Sequence, residues 1–401
     1  MTKIEEMIAE LCPNGVEWKE LGEICEFKRG QSLTSKKAIA GDVPVISGGQ
    51  KPAFMHNTPN REGESIVVAG SGAYAGFVSY WNRPIFVSDA FSVDIKNLHE
   101  VNVRYVFHFL LNNQQKIYAT KSGAGIPHVY GKNIAKFLIP IPPLEIQEEI
   151  VEILDKFTEY VTELTAELTA ELTDRQKQYS FYRDKLLSFE DEVYQVEWKT
   201  LGEVADFKYG YTDKALDVGE IRFIRITDIN ENGYLKSDDK KYISLTDESK
   251  KYLVSRGDLL MARTGATFGK TLYIDSDEPN VYASFLIKII PNEYLDRRYY
   301  WHFSKSNLYW EQANSLVSKA GQQQFNANSL KRVKIPVPSL PIQKRIVQVL
   351  DNFDTVCNDL KIGLPKEIEL RQKQYEYFRD KLLTFTAEGV YPGQWTVDSG
   401  Q

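Results

Sequence analysis

Residues 265–271 have the sequence GATFGKT, which carries the residue types that bind phosphate in nucleotide-hydrolysing enzymes. In that motif glycines let backbone amides surround the phosphate, and a lysine and a hydroxyl residue hold its far end. The motif needs four residues between its glycines, and this segment has three. A related segment at residues 72–78 has no lysine. We therefore expect both segments to be tight loops between strands rather than nucleotide sites.

Two further catalytic signatures are incomplete. An adenine methyltransferase needs a Pro-Pro pair between an Asn or Asp and an aromatic residue, whereas Pro142-Pro143 lies between isoleucine and leucine. Residues 17–19 and 197–199 each repeat the Glu-x-Lys part of a nuclease signature, but no suitable acid-bearing strand precedes the first of them. We predict that the chain is not an enzyme.

The histidines and cysteines also show no spacing typical of a metal site. They are His56, His99, His108, His128 and His302, with Cys12, Cys25 and Cys357. His108 and His302 occupy matching positions among aromatic residues, so we expect both to pack in a core. The sequence predicts no bound metal.

The elements that must position any site occur twice in the chain. The matching segments are 16–23 with 196–203, 139–142 with 335–338, and 175–187 with 371–383, where 10 of 13 residues are identical. The residues between these segments match only in scattered places. Two copies of one unit predict a pseudo-twofold object, and duplex DNA is the commonest partner that presents two equivalent sites.

The charge of the chain is unevenly distributed. The net charge is −6, yet residues 16–143 carry +4 and residues 196–338 carry +2, while residues 144–195 carry −9. Because a basic face matters more to DNA than the total charge, this distribution permits nucleic-acid binding. The sequence shows no membrane-spanning run and no secretory signal, and it has an odd cysteine count. We therefore expect a cytoplasmic protein.

The repeats and turn residues predict an α+β fold with six segments. These are an N-terminal helix at 1–15, a mixed α/β module at 16–143, a long helix at 144–195, a second module at 196–338, a second long helix at 339–390, and a tail at 391–401. The predicted strands are 43–47, 65–69, 77–80, 84–88 and 91–95, then 221–226, 259–262, 271–274 and 282–290, with module helices at 103–118 and 296–312.

Both long helices carry apolar residues spaced alternately four and three apart, which is the seam of a coiled coil. The seams are Ile150, Leu154, Phe157, Val161, Leu164 and Leu168, and Ile346, Leu350, Phe353, Cys357, Leu360 and Leu364. We expect the two seams to pack against each other as an antiparallel coiled coil that separates the modules. At ~1.5 Å per residue the first helix would be roughly 65 Å long.

Residues 162–172 contain a tandem repeat of Thr-Ala-Glu-Leu units that the second helix lacks. One more unit would lengthen the helix by about 6 Å, so we interpret the tandem as setting the length. The alternative is that alanine, glutamate and leucine are simply strong helix formers. Gly363 and Pro365 predict a kink in the second helix.

Taken together, these motifs resemble the specificity subunits of type I restriction-modification systems over residues 1–390. The resemblance rests on the paired WKxLGE starts, the IPxPxLxIQ helix entries and the RQKQY helix ends. It implies that each module is a target-recognition domain for one half of a bipartite DNA site. It also implies that the repeated helices set the gap between the half-sites.

The resemblance further implies the partners and cofactors. The partners would be double-stranded DNA, two methyltransferase subunits and the restriction subunits that translocate and cut DNA. S-adenosylmethionine, Mg²⁺ and ATP would bind to those subunits, and this chain would bind none of them. The alternative from the sequence is a protein-binding assembly scaffold without sequence-specific DNA recognition, which a salt-dependent, sequence-selective affinity for DNA would exclude.

Candidate DNA-binding residues are polar, cationic or tyrosine side chains in predicted loops at matched positions of the two modules. They are Lys28, Arg29, Gln31, Ser47, Gln50, Ser71, Tyr74, Lys121 and His128, and Lys208, Tyr209, Tyr211, Arg225, Arg263, Thr264, Lys270, Gln322, Gln323 and Gln324. Because both modules have a lysine at this matching position, we expect Lys28 and Lys208 to contact phosphate rather than bases. The alternative for each residue is an ordinary solvated loop.

Overall fold

The computed structural model describes residues 3–123, 125–189, 196–318, 324–359 and 362–384. The chain divides into two compact units. The first comprises Met1–Ala166 and Glu369–Gln401, and the second comprises Glu167–Ile368. Each unit therefore contains one of the two modules together with parts of both long helical segments.

The first unit begins with the predicted N-terminal helix and continues through nine strands. The strands are β1 (Glu17–Glu20), β2 (Cys25–Arg29), β3 (Val43–Ile46), β4 (Phe54–His56), β5 (Glu64–Ala69), β6 (Val78–Asn82), β7 (Phe86–Val87), β8 (Ala90–Ile95) and β9 (Leu138–Ile141). The helices are α1 (Lys3–Leu11), α2 (Leu21–Ile24), α3 (Val103–Asn112), α4 (Gln114–Ala119) and α5 (Gly131–Ile134).

These strands form three sheets. One is antiparallel in the order β2-β8-β5-β6, and another has the order β4-β3-β7, with β3 parallel to β7. The third pairs β1 with β9, so that Glu17 lies opposite Ile141 and Trp18 opposite Pro140. Because β1 and β9 are the first and last strands of the module, the module starts and ends at one place, directly before the long helix.

The second unit contains a related set of elements. The long helix is α6 (Leu144–Ser188), and the module has β10 (Glu197–Thr200), α7 (Leu201–Val204), β11 (Ala205–Tyr209), β12 (Ile221–Ile224), β13 (Tyr242–Ile243), β14 (Leu253–Val254), β15 (Leu259–Ala262), β16 (Thr271–Tyr273), β17 (Asn280–Tyr282), β18 (Leu286–Pro291), α8 (Arg297–Phe303), α9 (Asn307–Leu316), α10 (Ala327–Lys331) and β19 (Lys334–Val337). The sheets are β11-β18-β15-β16, β13-β12-β17-β14 and β10-β19. The mixed α/β modules are confirmed.

In each unit the main core lies where the four-stranded sheet and the first module helix meet the long helices. In the first unit Ile4 and Ile8 of α1 join a cluster with Tyr105, Ile146 and Ile150. In the second unit the corresponding cluster contains a larger share of aromatic residues, among them Tyr299, Tyr300, Trp301 and Phe303 of α8. The core of each module therefore includes residues of the long helices.

The first long helix is confirmed as a continuous helix of 45 residues, α6. The second is broken into α11 (Leu340–Asn358) and α12 (Leu364–Leu383), so the kink predicted at Gly363 and Pro365 is a full interruption. Pro365 lacks an amide hydrogen and tolerates only the first turn of a helix, where α12 places it.

Within each unit the helical segments run antiparallel, as predicted. In the first unit Phe157 contacts Phe378, and Thr158 shares a hydrogen bond of 2.8 Å with Tyr375. In the second unit Phe353 stacks on Tyr179 and Tyr182.

The expectation that the two seams pack on each other is wrong for these parts of the helices. Ile150 and Leu154 of the first seam pack into the first module, and Ile346, Leu350 and Cys357 of the second seam pack into the second. The helix-end segments at 175–187 and 371–383 pack beside them. The reason is that antiparallel alignment places the start of one long segment beside the end of the other. Leu360 lies outside the described residues.

Three predicted elements are divided in the structure. The helix at 103–118 is α3 and α4, which meet at Asn113, and the helix at 296–312 is α8 and α9, where Ser306 caps the second helix by accepting from the Tyr309 amide. The strand at 282–290 is β17 and β18, which belong to different sheets. The helices end earlier than their apolar residues predict because polar side chains, Asn113 and Ser306, bond to the backbone at the breaks. The strand ends earlier because the chain passes from one sheet to another. Within the described residues, no helix is both long and apolar enough to cross a membrane.

Candidate nucleic-acid interface

In the first module, candidate residues from three separate loops meet at one end of the four-stranded sheet. Arg29 ends β2, Ser71 follows β5, and Asp89 precedes β8. The loop after α4 joins them, because His128 forms a β-bridge with Ser71. We call the surface formed by Arg29, Ser71, Asp89 and His128 the first loop edge.

The two candidates from the loop after β3 lie beside this surface. Ser47 and Gln50 follow β3, and Gly48 between them approaches Ser71 so closely that an added Cβ would lie 2.5 Å from the Ser71 carbonyl oxygen. Only glycine allows that approach. Ser47 and Gln50 therefore lie beside the first loop edge, and their contact with DNA stays a prediction.

The second module builds a related surface from its matching loops. Tyr209 ends β11, Arg263 and Thr264 follow β15, and Thr264 forms a β-bridge with Gln324. The backbone amide of Phe325 donates to the Arg263 carbonyl at 2.8 Å, as the amide of Val129 donates to Gly70 at 3.0 Å in the first module. We call the surface formed by Tyr209, Arg263, Phe285 and Gln324 the second loop edge.

The glycine-rich segments are tight loops between strands, as expected. Residues 70–77 join β5 to β6, and residues 263–270 join β15 to β16. Gly72 and Gly265, at matching positions, have φ of 85° and 70°, a region that other residues seldom adopt. The second loop contains a single 3₁₀ turn at Gly265–Thr267, and both loops lead into a strand rather than an α-helix, so neither has the architecture of a nucleotide-binding loop.

Side chains of the first loop edge are mostly accessible. The rings of His128 and Tyr130 stack 6.1 Å apart, and Lys121 lies 4.3 Å from the centre of the Tyr118 ring. Arg29, Gln31 and Tyr74 are exposed. Aromatic rings with nearby cations are suited to stacking on bases and to neutralising phosphate.

Lys28 is less free than the sequence indicates. Its ammonium lies 3.0 Å from Asp94 and 3.3 Å from Glu26, and the hydrogen bonds to these two carboxylates raise its pKa. Its partner in the repeat, Lys208, is exposed at the matching position of β11. Phosphate contact by either lysine stays a prediction.

Several candidates of the second module are engaged within the protein. Arg225 pairs with Asp228 at 2.7 Å and with Asp239 at 3.1 Å, and hydrogen bonds to those acids raise its pKa. Tyr211 packs against Tyr252, with ring centres 5.3 Å apart. Such contacts hold the loops in shape and leave fewer groups available to a ligand.

Three other candidates differ in their setting. Thr264 is buried, and Lys270 lies next to α6, in a cavity that it shares with Gln176 and Tyr179. Gln324 is exposed on the second loop edge. Gln322 and Gln323 lie outside the described residues.

A set of contacts between each module and its long helix was missed from the sequence. In the first unit the Nε2 atom of His108 lies 2.7 Å from Asp155 of α6, and Arg104 donates to the same carboxylate. In the second unit the Nε2 atom of His302 lies 2.8 Å from Asp351 of α11. Arg298 donates to Asp351 at 2.7 Å. We call each of these triplets a histidine lock.

Burial and hydrogen bonding set the charge states in the two locks. Burial lowers the pKa of His108 and lowers that of His302 to about 4, so both imidazoles are neutral at pH 7. Burial acts to raise the pKa of Asp155 and Asp351, but hydrogen bonds from the neighbouring histidine and arginine outweigh it and hold both below the usual range. The core position predicted for both histidines is confirmed.

A buried glutamine strengthens the same junction in both units. The Gln147 side chain accepts from the Asn102 amide at 2.9 Å and donates to the carbonyl oxygens of Glu100 and Pro142, both at 2.8 Å. Gln343 makes the matching contacts with the backbone of Asp296, Tyr294 and Pro338. The signal was present in the sequence, since both glutamines end the repeated helix-entry motif.

The described residues contain no group of histidine, cysteine or acidic side chains that could hold a metal ion.

Comparison with known proteins gives a consistent result. The family model "Type I restriction modification DNA specificity domain" matches residues 13–174 and 195–370. The chain is 33% identical over 394 residues to a putative type I restriction enzyme specificity subunit of Haemophilus influenzae, covering 92% of this chain and 96% of the relative. It is 34% identical over 406 residues to the EcoR124I/EcoR124II specificity subunit of Escherichia coli, covering 92% and 94%.

Solved structures agree at the level of the fold. The S subunit of a type I restriction-modification system from M. genitalium aligns with a TM-score of 0.51 and 18% identity, covering 93% of this chain and 98% of that chain. A chain from a study of complex assembly and conformational transition of the type I system aligns with a TM-score of 0.64 and 20% identity, covering 92% and 98%.

Proposed function

Because this chain belongs to the type I restriction-modification DNA specificity family, we propose that each of its modules recognises one half of a bipartite DNA site through its loop edge. Specificity subunits are the non-catalytic members of their complexes and supply the sequence recognition. The first module corresponds to residues 16–143 and the second to residues 196–338, the boundaries that we predicted from the sequence.

One observation carries this proposal. The two modules join their long helices through the same contacts, the histidine lock and the buried Gln147 or Gln343, yet their loop edges carry different side chains. Arg29 stands where the second module has Tyr209, and Gly70 stands where it has Arg263. A constant frame with variable loops suits two readers of different sequences.

The partners follow from membership of the family. The chain assembles with methyltransferase and restriction subunits on double-stranded DNA. We infer that two methyltransferase subunits bind, and that S-adenosylmethionine, Mg²⁺ and ATP bind to these partners. The specificity subunit itself binds no cofactor. The acidic first helix suits contact with protein more than with DNA, and we infer a cytoplasmic location because the complex acts on cellular DNA.

The gap between the half-sites is the next step of the proposal. The helix α6 has 45 residues, which at ~1.5 Å per residue is roughly 68 Å, or about two turns of DNA at ~34–36 Å each. We infer that the helical segments act as a spacer and that the base pairs between the half-sites are not read.

The experiment that tests this proposal is footprinting of the full chain in complex with its methyltransferase subunits. We expect two short protected sequences at a fixed spacing, and methylome sequencing should find methylated adenine in the same two sequences. One contiguous protected sequence, or none, would contradict the proposal. Weak binding that depends on salt but not on sequence would support a protein-binding scaffold instead.

A further inference from the structure

A cavity of about 340 Å³ opens on the first loop edge. Two phenylalanines form its apolar wall, and small residues form its floor. Its lining includes Phe27, Phe91, Gly70, Gly131, Arg29 and Asp89. The cavity volume lies in the range of small-ligand sites, which are apolar pockets with a few convergent polar groups.

The backbone at residue 131 packs tightly against one wall of the cavity. An added Cβ there would lie 2.8 Å from the Cβ of Phe27, closer than two carbon atoms pack. Only glycine therefore fits at this point of the cavity lining.

The rim of the cavity carries charge of both signs. Arg29 and Lys132 supply positive charge, and the Lys132 ammonium lies 5.7 Å from the centre of the Tyr130 ring. Asp89 supplies a carboxylate, which accepts a hydrogen bond from the Ser71 hydroxyl and is thereby fixed in place. Cations suit phosphate, aromatic rings suit the face of a base, and a carboxylate accepts from an exocyclic amino group.

The second module fills the corresponding space with its own side chains. The Arg263 guanidinium lies 5.3 Å from the ring centre of Tyr209 and 5.3 Å from that of Phe285. Its Nε also donates to the Ser284 carbonyl oxygen at 3.0 Å. The Tyr209 hydroxyl accepts a hydrogen bond from the Ala327 amide at 3.2 Å. This bond joins the end of β11 to the start of α10.

The two modules differ in the side chains at this point of the loop edge. At matching positions the first module has Gly70 and Arg29, and the second has Arg263 and Tyr209. The first module is therefore open where the second holds a stacked arginine.

We propose that the cavity of the first module receives one nucleobase of its half-site, unstacked from the duplex and bearing an exocyclic amino group. The base lies against the aromatic wall with its amino group toward Asp89, and its flanking phosphates lie on Arg29 and Lys132. The second module recognises its half-site without extracting a base. This inference rests on the proposed function, since it requires a DNA duplex on the loop edge.

Extraction of a base makes a specific prediction for mismatched DNA. A base that is already unpaired costs less to extract, so a mismatch at that position tightens binding instead of weakening it. The base pairs that contain the methylated adenines are left out of this scan, because the methyltransferase subunits extrude those adenines themselves. At every other position of the site, a mismatch leaves affinity unchanged or lowers it. The test uses the full chain with its methyltransferase subunits and duplexes that contain the footprinted site. One base at a time is changed on one strand, so that its partner is kept but left unpaired.

We expect about tenfold tighter binding at a single position in one half-site and no tightening in the other. Gly70→Arg copies the second module and should abolish the tightening. Gly70→Ala is the matched control and should retain it, since a Cβ at residue 70 would lie 3.4 Å from the nearest atom, an ordinary contact.

Three results would overturn the proposal: no tightening in either half-site, tightening in both, or tightening that survives Gly70→Arg. In each of them the two footprints remain, so the proposed function stands while this inference fails. A complex that protects no bipartite site would instead remove both. Protection of the other half-site by the Gly70→Arg variant shows that the variant is folded.

Discussion

At the scale of single residues, the histidine locks are the contacts that join each module to its long helix. In the second unit Asp351 accepts from the Nε2 of His302, and the Tyr179 hydroxyl lies 2.9 Å from its Nδ1. Both ring nitrogens are then satisfied by a neutral imidazole. In the first unit the Nδ1 of His108 has no hydrogen-bond partner among the described residues. The second lock is therefore the more complete of the two.

The second lock predicts a pH dependence of stability. Burial lowers the pKa of His302 to about 4 in the folded chain, against about 6.5 when unfolded. As the pH falls through this interval the unfolded chain binds a proton and the folded chain does not, so stability is lost on acidification. The loss between pH 6.5 and pH 4 is about 3 kcal/mol, present as stability above pH 6.5.

The measurement is the melting temperature of the chain between pH 7 and pH 4.5. His302→Gln should flatten the decline, whereas His99→Gln, at an exposed position, should leave it unchanged. Lys305, whose pKa burial lowers to about 7, changes stability above that pH and so outside the interval. An equal decline for both variants would show that other groups set the acid sensitivity.

The buried glutamines allow a second prediction at this scale. Gln343 is fully buried and makes three hydrogen bonds of 2.8 Å with backbone atoms of Asp296, Tyr294 and Pro338. Replacing it by leucine leaves those groups unpaired, each at a cost of about 1–3 kcal/mol. We expect Gln343→Leu to lower the free energy of unfolding by at least about 3 kcal/mol in urea denaturation, the lower bound for three such groups.

The neighbouring Lys344→Ala, at an exposed position of the same helix, is the control and should change stability by less than about 0.5 kcal/mol. Gln147→Leu should match Gln343→Leu. A loss confined to one of the two glutamines would contradict the equivalence of the two junctions.

Residue type alone predicted where the loop edges lie but not which of their side chains are free. Arg225 and Arg263 are both arginines in loops, yet the first is held by two carboxylates and the second lies between two rings. Asp228 is a near neighbour of Arg225, but the other partners are more distant in sequence: Asp239 for Arg225, and Tyr209 and Phe285 for Arg263. Because the sequence pattern shows only near neighbours, such pairing could not be predicted.

At the scale of elements, periodicity predicted the long helix α6 closely and the module helices less well. The break at Asn113 and the cap at Ser306 lie inside runs of helix-forming residues. The pairing of β1 with β9 joins segments 120 residues apart, which no local pattern reveals. Local signals fixed element type, and contacts distant in sequence fixed where the elements end.

The tandem repeat in α6 carries a prediction about spacing. Thr165 and Leu168 are half-buried and Ala166 and Glu167 are exposed within one uninterrupted helix, so removing the four residues shortens the helix without opening a module core. The helix loses about 6 Å and its end turns by ~40°. We expect deletion of residues 165–168 to shorten the gap by about one or two base pairs, at ~3.4 Å per base pair, while both half-sites stay the same.

Methylome sequencing of cells that express the deleted chain with its partners measures the gap directly. Substituting Glu167→Gln, which keeps the helix length, is the control and should leave the gap unchanged. A changed base preference in either half-site, with an unchanged gap, would contradict a spacer role for the tandem.

At the scale of the whole molecule, the duplication predicted two equivalent modules, and the structure adds where they differ. In the second unit the Lys305 ammonium lies 3.2 Å from Asp354 and 3.2 Å from the centre of the Trp301 ring. Leu111 and Thr158 occupy the positions of Lys305 and Asp354 in the first unit. The second unit thus holds a buried ion pair where the first holds neutral residues. The two modules join their long helices in the same way, but exchanging one module for the other requires a compensating substitution at Asp354.

A chain with two first modules tests this argument. Replacing residues 196–338 by the matching residues 16–142 keeps the histidine lock, because Arg104 and His108 take the places of Arg298 and His302. It also removes Lys305 and the Tyr234 hydroxyl from Asp354, and the arginine of the lock, 3.5 Å from Asp354 in the natural chain, stays as its cation. Losing the lysine from this buried pair costs about 3 kcal/mol. Adding Asp354→Thr, to match Thr158, should restore most of that stability in thermal melting.

The repaired chimera should then recognise two copies of one half-site in place of two different ones. Because the helical segments run antiparallel within each unit, we expect the copies as an inverted repeat, detectable as a palindromic methylated sequence. Asp354→Thr in the natural chain is the control and should destabilise it, since Lys305 then loses its carboxylate. If the chimera melts alike with and without Asp354→Thr, the buried ion pair is not what distinguishes the two units.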